Sequence, residues 1–331
     1  MHRIAVLGAG SWGTALSLLL ARKGCDICLW VWDPDQAKVL LESRVNPFLP
    51  GFQVPEDFRI TASIPEAVQG ADGLLLATPS DGIPDLAKQL KACLPPGIPI
   101  ISGTKGLNSK TGLTVSQILG SVLSGANLIG ALSGPNLAVE LAKGIPTATV
   151  IACSDYALAH EAQTLFMCPS LRVYTNRDVI GVELAGALKN VIAIAAGICD
   201  GLGYGDNTKA ALVTRGLAEI TRLATKIGAE QATFMGLAGV GDLMATCASP
   251  LSRNRRLGLG LAKGGARDDI MREIGQVAEG IPTTRAAYDL ARKHETPMPI
   301  TEEVYQVLFE GKPPQAAVAD LMTREPKEEV W

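Results

Sequence analysis

The chain has 331 residues, 47% of them hydrophobic, with 30 Lys and Arg against 33 Asp and Glu, a formal charge of -3 and a pI near 5.7. That length exceeds one comfortable core, so two domains are expected. Without a global basic field, neither nucleic acid nor an anionic membrane is expected as the main partner, and any anion must be held by a local site.

The seven cysteines (25, 28, 93, 153, 168, 199, 247) are odd in number and lie in apolar segments, which fits buried thiols in a reducing cytoplasm. Cys25 and Cys28 form a C-x-x-C at the entry to a strand, with no second pair at metal-ligand spacing, so no metal is expected.

Arg3 to Leu7 reads as a short strand. It runs into Gly8-Ala-Gly10-Ser11-Trp12-Gly13 and then a helical pattern ending at Gly24. Strand, glycine turn and helix in this order make a dinucleotide site: one glycine turns the chain, the second admits the pyrophosphate, and the third lets helix pack on strand. Because this folded motif begins by Gly8, no signal peptide is expected. No apolar run reaches the roughly 20 residues expected of a membrane span, so a cytoplasmic protein without membrane insertion is expected.

The next strand, Asp26 to Trp32, ends at Asp33, placed either to accept from the adenosine ribose hydroxyls or to cap the turn made by Pro34. No Arg or His stands between Leu29 and Asp35 to take a 2'-phosphate, which leans the cofactor toward NAD.

Alternation then continues through strands at 73–77, 98–102, 128–132, 147–152 and 171–174 and helices at 84–94, 113–123 and 155–166. Continuous apolar strands between amphipathic helices predict a doubly wound parallel sheet of Rossmann type. Ligands bind beyond the carboxyl ends of such strands, where polar turns fall at Ala77–Ser80, Gly103–Gly106 and Ser133–Asn136. Lys105, flanked by glycines there, is either a substrate contact or a solvated loop lysine.

From about Asp178 onward the pattern is all helical, with segments expected at 179–200, 208–227, 230–247, 253–263, 268–277, 283–294 and 301–323. The expected division is therefore a cofactor domain at 1–178 and a helical substrate domain at 179–331, its last residues (REPKEEVW) frayed.

Between Glu183 and Asp200, Lys189 is the sole charge in an apolar helix, on one face with Val182, Ala185, Gly186, Ile192, Ala193 and Ala196. Burial of a lysine lowers its pKa toward proton transfer, whereas a lysine at a rim keeps its head in water. Asp242 is the sole charge between Glu230 and Arg253 and sits among glycines, either as a helix cap or as the partner that a buried Lys189 requires. Ser252-Arg253-Asn254-Arg255-Arg256, at a helix start, suits a phosphate better than a solvated face in a net-negative chain.

Together GAGSWGTAL, NPFLPG (46–51), GTKGL, SGPNLAVEL, the Lys189–Asn190 helix, GLAGVGDL, SRNRR and GQVAEG (275–280) resemble the bacterial-type NAD(P)-dependent glycerol-3-phosphate dehydrogenases over nearly the whole chain. The resemblance implies an oxidoreductase that passes a hydride between NAD(P)H and dihydroxyacetone phosphate, giving sn-glycerol 3-phosphate for phospholipid backbones.

It also implies that Gly8, Gly10, Ser11, Trp12, Gly13, Ala138, Arg253, Val277 and Glu279 line the dinucleotide, with Trp32, Asp33 and Lys105 beside it. Lys105, Gly134, Asn136, Lys189, Asn190, Asp242, Ser252, Arg253 and Asn254 would surround the triose phosphate. Lys189 would be the acid/base, with Asp242 and Lys105 in the same catalytic set. Trp32 stands where many relatives place Arg or His, which puts a preference for NADPH in doubt. Fold analogy alone suggests a homodimer.

Two competing readings are another Rossmann dehydrogenase of the β-hydroxyacid or 6-phosphogluconate type, usually with K-x-x-N spacing, and a non-catalytic NAD-binding module.

Overall fold

The computed structural model describes residues 2–326 and 328–329. The first half alternates strand and helix: β1 (Arg3–Leu7), α1 (Ser11–Arg22), β2 (Asp26–Trp30), α2 (Pro34–Ser43), β3 (Arg59–Thr61), α3 (Ile64–Val68), β4 (Gly73–Leu76) and α4 (Ile83–Cys93). It continues with β5 (Ile100–Ser102), α5 (Val115–Leu123), β6 (Ile129–Ser133), α6 (Ala138–Ala142), β7 (Thr147–Ala152), α7 (Tyr156–Phe166) and β8 (Leu171–Asn176). Among these, α2, β3, α3 and α6 have no counterpart in the sequence reading. They are short or partly exposed and carry little periodicity.

The eight strands lie in the order β3-β2-β1-β4-β5-β6-β7-β8. The first six follow the dinucleotide-binding order, and the crevice between β1 and β4 is the switch point where ligands bind. One core cluster lies on the α1 and α2 face and another on the α3, α4 and α5 face, so the sheet is covered on both sides.

The expectation of a wholly parallel sheet is corrected at one edge, where β7 pairs antiparallel with β6. A parallel return must recross the length of the strand, about 17 Å for five residues, and the five-residue α6 rises only about 7.5 Å. The chain therefore reverses instead, and β8 then runs parallel to β7.

The second half is helical: α8 (Val179–Gly201), α9 (Asp206–Lys226), α10 (Gln231–Phe234), α11 (Asp242–Ala248), α12 (Arg253–Ala262), α13 (Arg267–Ile274), α14 (Gly280–Lys293), α15 (Pro299–Phe309) and α16 (Pro314–Met322). Two helices expected to be continuous are broken. The segment at 230–247 is interrupted by a π-type turn, Leu237–Gly241, where three glycines (236, 239 and 241) weaken regular helix. The segment at 301–323 breaks at Gly311 (φ 72) and the prolines that follow. Of the end expected to fray, Lys327, Val330 and Trp331 lie outside the described residues.

At the centre stands α8, capped by Asp178, whose carboxylate accepts from Gly181 N at 2.8 Å. Contrary to the sequence reading, α8 is long and apolar enough to cross a membrane, with a mean hydropathy of 1.7. Inside the protein 89% of that stretch is buried, because α9, α11, α12, α14 and β6 all pack on it. Its core cluster also takes in Ala131, Val150 and Ala152 from the sheet.

Candidate active site

Three glycines shape the turn between β1 and α1 for different reasons. Gly8 has φ 127, and a Cβ there would meet the Ala77 carbonyl oxygen at 2.6 Å. A Cβ on Gly13 would collide with the Gly8 carbonyl, whereas one on Gly10 would meet nothing within 4 Å. Gly10 thus leaves the backbone open to an approaching group. Side chains cap α2, α3 and α5, but none caps α1, so its first-turn N–H groups and positive dipole end point at that opening. The donor set and the space fit a dinucleotide pyrophosphate.

Around the turn, Asn46 Nδ2 donates to Ala9 O (2.8 Å) and to Thr14 Oγ1 (2.7 Å), which seats the NPFLPG loop against the glycines. Ser11 Oγ donates to Gln276 Oε1 at 3.1 Å. The buried Trp12 Nε1 has no partner among the described residues and lies 2.7 Å from where a Gly103 Cβ would sit. At the end of β2, Asp33 Oδ1 accepts from Asp35 N (2.9 Å) and caps α2, while Trp32 is 79% exposed.

The expected lysine and aspartate meet on the far side of the crevice. Asp242 is 2% exposed, and its carboxylate is shared: Oδ1 accepts from Lys189 Nζ at 3.0 Å and Oδ2 from Lys105 Nζ at 2.8 Å. Asp242 is therefore a counter-ion; its side chain makes no capping bond to α11. Lys105 is no solvated loop lysine, since its ammonium also donates to Gly134 O at 2.7 Å. Burial pulls its pKa down to about 8, against the opposing pull of Asp242 and with the help of the Lys189 charge.

Local sequence explains the convergence. Small residues on the lysine face of α8 admit the loops after β5 and β6, and Gly186 lets Ser133 and the stem of Lys105 approach. Asn190 ties the halves together, donating to Lys105 O (3.0 Å) and accepting from Asn254 Nδ2 (2.8 Å), while Asn254 Oδ1 accepts from Gly280 N (2.9 Å). Asn136 Nδ2 donates to Thr149 Oγ1 at 3.0 Å.

One member was missed from sequence: Thr246 Oγ1 accepts from Lys189 Nζ at 2.6 Å and donates to Asp242 O at 2.7 Å. Its position four residues after Asp242, on the same helix face, was the available signal.

The basic cluster does not act as one patch. Ser252 caps α12, accepting from Arg255 N at 3.2 Å. Arg255 Nε pairs with Asp200 at 2.6 Å and Arg256 faces solvent, because consecutive helical residues point about 100° apart. Only Arg253 turns toward the loop before α14, donating to Val277 O (2.8 Å) and Gln276 Oε1 (3.4 Å). Burial holds its pKa below the usual value, with Glu279 opposing.

Glu279 spans the crevice, accepting from Ser80 N (3.0 Å) and Ser80 Oγ (2.6 Å), and burial raises its carboxyl pKa. Val277 is exposed beside it, and Ala138 opens α6. All seven cysteines are free, and among the described residues no group of three or more His, Cys, Asp or Glu could hold a metal.

Two family profiles match in tandem: the N-terminus of NAD-dependent glycerol-3-phosphate dehydrogenase over residues 3–159 and its C-terminus over residues 178–319. The glycerol-3-phosphate dehydrogenase (NAD(P)+) of Geobacter sulfurreducens is 50% identical, covering 100% of this chain and 99% of its own. That of Chlorobium limicola is 48% identical, covering 100% of both chains. The crystal structure of the Coxiella burnetii glycerol-3-phosphate dehydrogenase superposes with a TM-score of 0.95 at 40% identity, covering 98% of this chain and 99% of that one. The chain belongs to the NAD-dependent glycerol-3-phosphate dehydrogenase family.

Proposed function

We propose that the buried Lys105–Asp242–Lys189 centre protonates and holds the oxygen formed when dihydroxyacetone phosphate is reduced to sn-glycerol 3-phosphate with NAD(P)H. The observation that carries this reading is a single buried carboxylate shared by two ammoniums, 2.8 Å and 3.0 Å away, at the meeting of the two halves. Residues 1–178 hold the cofactor and 179–331 complete the substrate site.

Held along the Gly8–Gly13 turn by the first-turn N–H groups of α1, a nicotinamide cofactor would supply the hydride that reduces the carbonyl carbon. As negative charge develops on the carbonyl oxygen, Lys189 is placed to stabilise it and to deliver a proton, and the balance closes as ketone plus hydride plus proton gives alcohol. General-acid action of this kind contributes roughly 100-fold to 10,000-fold. Asp242 and Thr246 fix the ammonium of Lys189 and set where its protons point. Asn190 holds the Lys105 loop to α12, so its position next to Lys189 is structural glue rather than a spaced pair. Arg253 and the N-terminus of α12, with Ser252 and Asn254, take the phosphate.

We also propose that NADH is preferred over NADPH. A cavity of about 210 Å³ beside the glycine turn is lined by Ala9, Val31, Asp35, Val39 and Phe48 among others, and no lysine or arginine lines it. A 2'-phosphate there would meet Asp35 and the nearby Asp33 with no cation among the lining residues to balance it. The chemistry and the seven free thiols fit a cytosolic setting.

One experiment tests both statements: loss of NADH absorbance on addition of dihydroxyacetone phosphate, repeated with NADPH. No oxidation with either cofactor would sink the reaction, and a higher kcat/KM with NADPH would sink the preference.

A further inference from the structure

The mechanism above leaves the buried hydroxyl of Ser133 without a task. Ser133 closes β6, is 2% exposed, and its Oγ has no hydrogen-bond partner among the described residues. An unpaired buried polar group of this kind is costly to the folded state. The residue is held firmly, because its own carbonyl accepts from Thr149 Oγ1 at 2.7 Å. Its Oγ lies 2.6 Å from the position a Cβ on Gly186 would take, and Lys105 Cγ lies 3.6 Å from that same position. Gly186 is one turn before Lys189 and Asn190 on α8, so the hydroxyl enters the site between the stem of Lys105 and the lysine helix.

The same turn carries more of this character. Gly134, with φ 141, offers the carbonyl that accepts from Lys105, and a side chain there would press on Thr149. Asn136 Oδ1 is a second buried oxygen with no partner among the described residues, its amide nitrogen being engaged by Thr149. Two unpaired oxygens thus flank one carbonyl at the carboxyl end of β6.

The substrate has three groups to place. Its carbonyl oxygen belongs by Lys189 and its phosphate by Arg253, which leaves the free C1 hydroxyl for the remaining polar wall. We propose that Ser133 Oγ binds the C1 hydroxyl of the triose phosphate, beside Asn136, which the family resemblance already implies in the substrate site; this rests on the reaction proposed above. Anchoring the two unlike CH2 arms at opposite walls presents one face of the carbonyl to the cofactor, so Ser133 is a specificity-determining residue for the stereochemical course. A serine is suited to the task because its hydroxyl both donates and accepts.

The test compares two substrates on the intact enzyme: dihydroxyacetone phosphate, and acetol phosphate, in which a methyl replaces the free CH2OH. Ser133→Ala is expected to lower kcat/KM for dihydroxyacetone phosphate about threefold to tenfold, the range of one hydrogen bond. For acetol phosphate it is expected to change little. The near-isosteric Ser133→Cys, which keeps the packing, is expected to show the same selectivity in weaker form. Equal losses on both substrates, or none on either, would overturn the assignment. No turnover of dihydroxyacetone phosphate by the unaltered chain would overturn the underlying reaction and this assignment with it.

Discussion

Replacing Asp242 by Asn tests the centre at the carboxylate both lysines share. The change keeps shape but removes the one negative charge between two ammoniums at 2.8 Å and 3.0 Å, in a position 2% exposed. Removing one partner of a buried ion pair costs about 3–5 kcal/mol. Half of the lower figure, felt at Lys105, is about 1.5 kcal/mol, or roughly one pKa unit at about 1.36 kcal/mol per unit.

Lys105, held at about 8 with Asp242 in place, then loses its proton at a lower pH. A lysine is cationic below its pKa, so the alkaline fall of kcat/KM moves acidward. The assay is kcat/KM for dihydroxyacetone phosphate from pH 5.5 to 9.5. The unaltered enzyme is expected to fall off near pH 8. The variant is expected to fall off about one unit earlier, with a loss near neutrality of about a hundredfold if 3 kcal/mol is felt in the transition state. Coincident profiles with kcat/KM unchanged would refute the shared counter-ion as a determinant of catalysis.

Three further changes probe other parts. Lys189→Ala is expected to reduce kcat by about 100-fold or more while the Kd for NADH, measured by fluorescence, stays put; a near-normal kcat removes Lys189 from the acid/base role. Gln276→Ala severs bonds to Ser11, Arg253 and Phe48 O, so KM for NADH is expected to rise about threefold to tenfold with kcat less affected, and an unchanged KM would remove Gln276 from cofactor retention.

Glu219 caps α15 from a position 2% exposed, and burial raises its pKa from 4.5 to about 7. A raised pKa means the folded state holds the proton more tightly, so this contribution is full below about pH 4.5 and lost as pH rises through about 7. The span corresponds to roughly 3 kcal/mol. Glu219→Gln is expected to flatten chemical-denaturation stability over that window; an unchanged slope would refute it.

The glycine turn and the isolated charges were legible in sequence because each violates its surroundings. Gly8, Gly10 and Gly13 interrupt an apolar run, while Lys189 and Asp242 stand alone in theirs. The antiparallel β7 was not legible, because direction depends on whether a connection can recross a strand, and α6 is too short to advertise itself. Arg253, Arg255 and Arg256 read as one patch in sequence but point apart in a helix, so a linear cluster overstated the anion site. Thr246 escaped notice, and Ser133 was marked only as part of a polar turn, because a lone hydroxyl near other small residues gives no contrast; its neighbours in space supply it.

The sharing of α8 between sheet and helices bears on how such a chain can be rebuilt. Ala131, Val150 and Ala152 belong to the same apolar cluster as Leu184, Leu188 and Ile192, so the proposed division at 178–179 is not a seam in the packing. A chimera joined there would confront each half with a foreign surface, and each fragment expressed alone would expose an apolar face and aggregate. Crossovers placed before β6 or after α8 keep that face with its native partner. Cofactor exchange by recombination is therefore better confined to the segment from β1 to β3, where the proposed adenosine contacts lie and α8 is not touched.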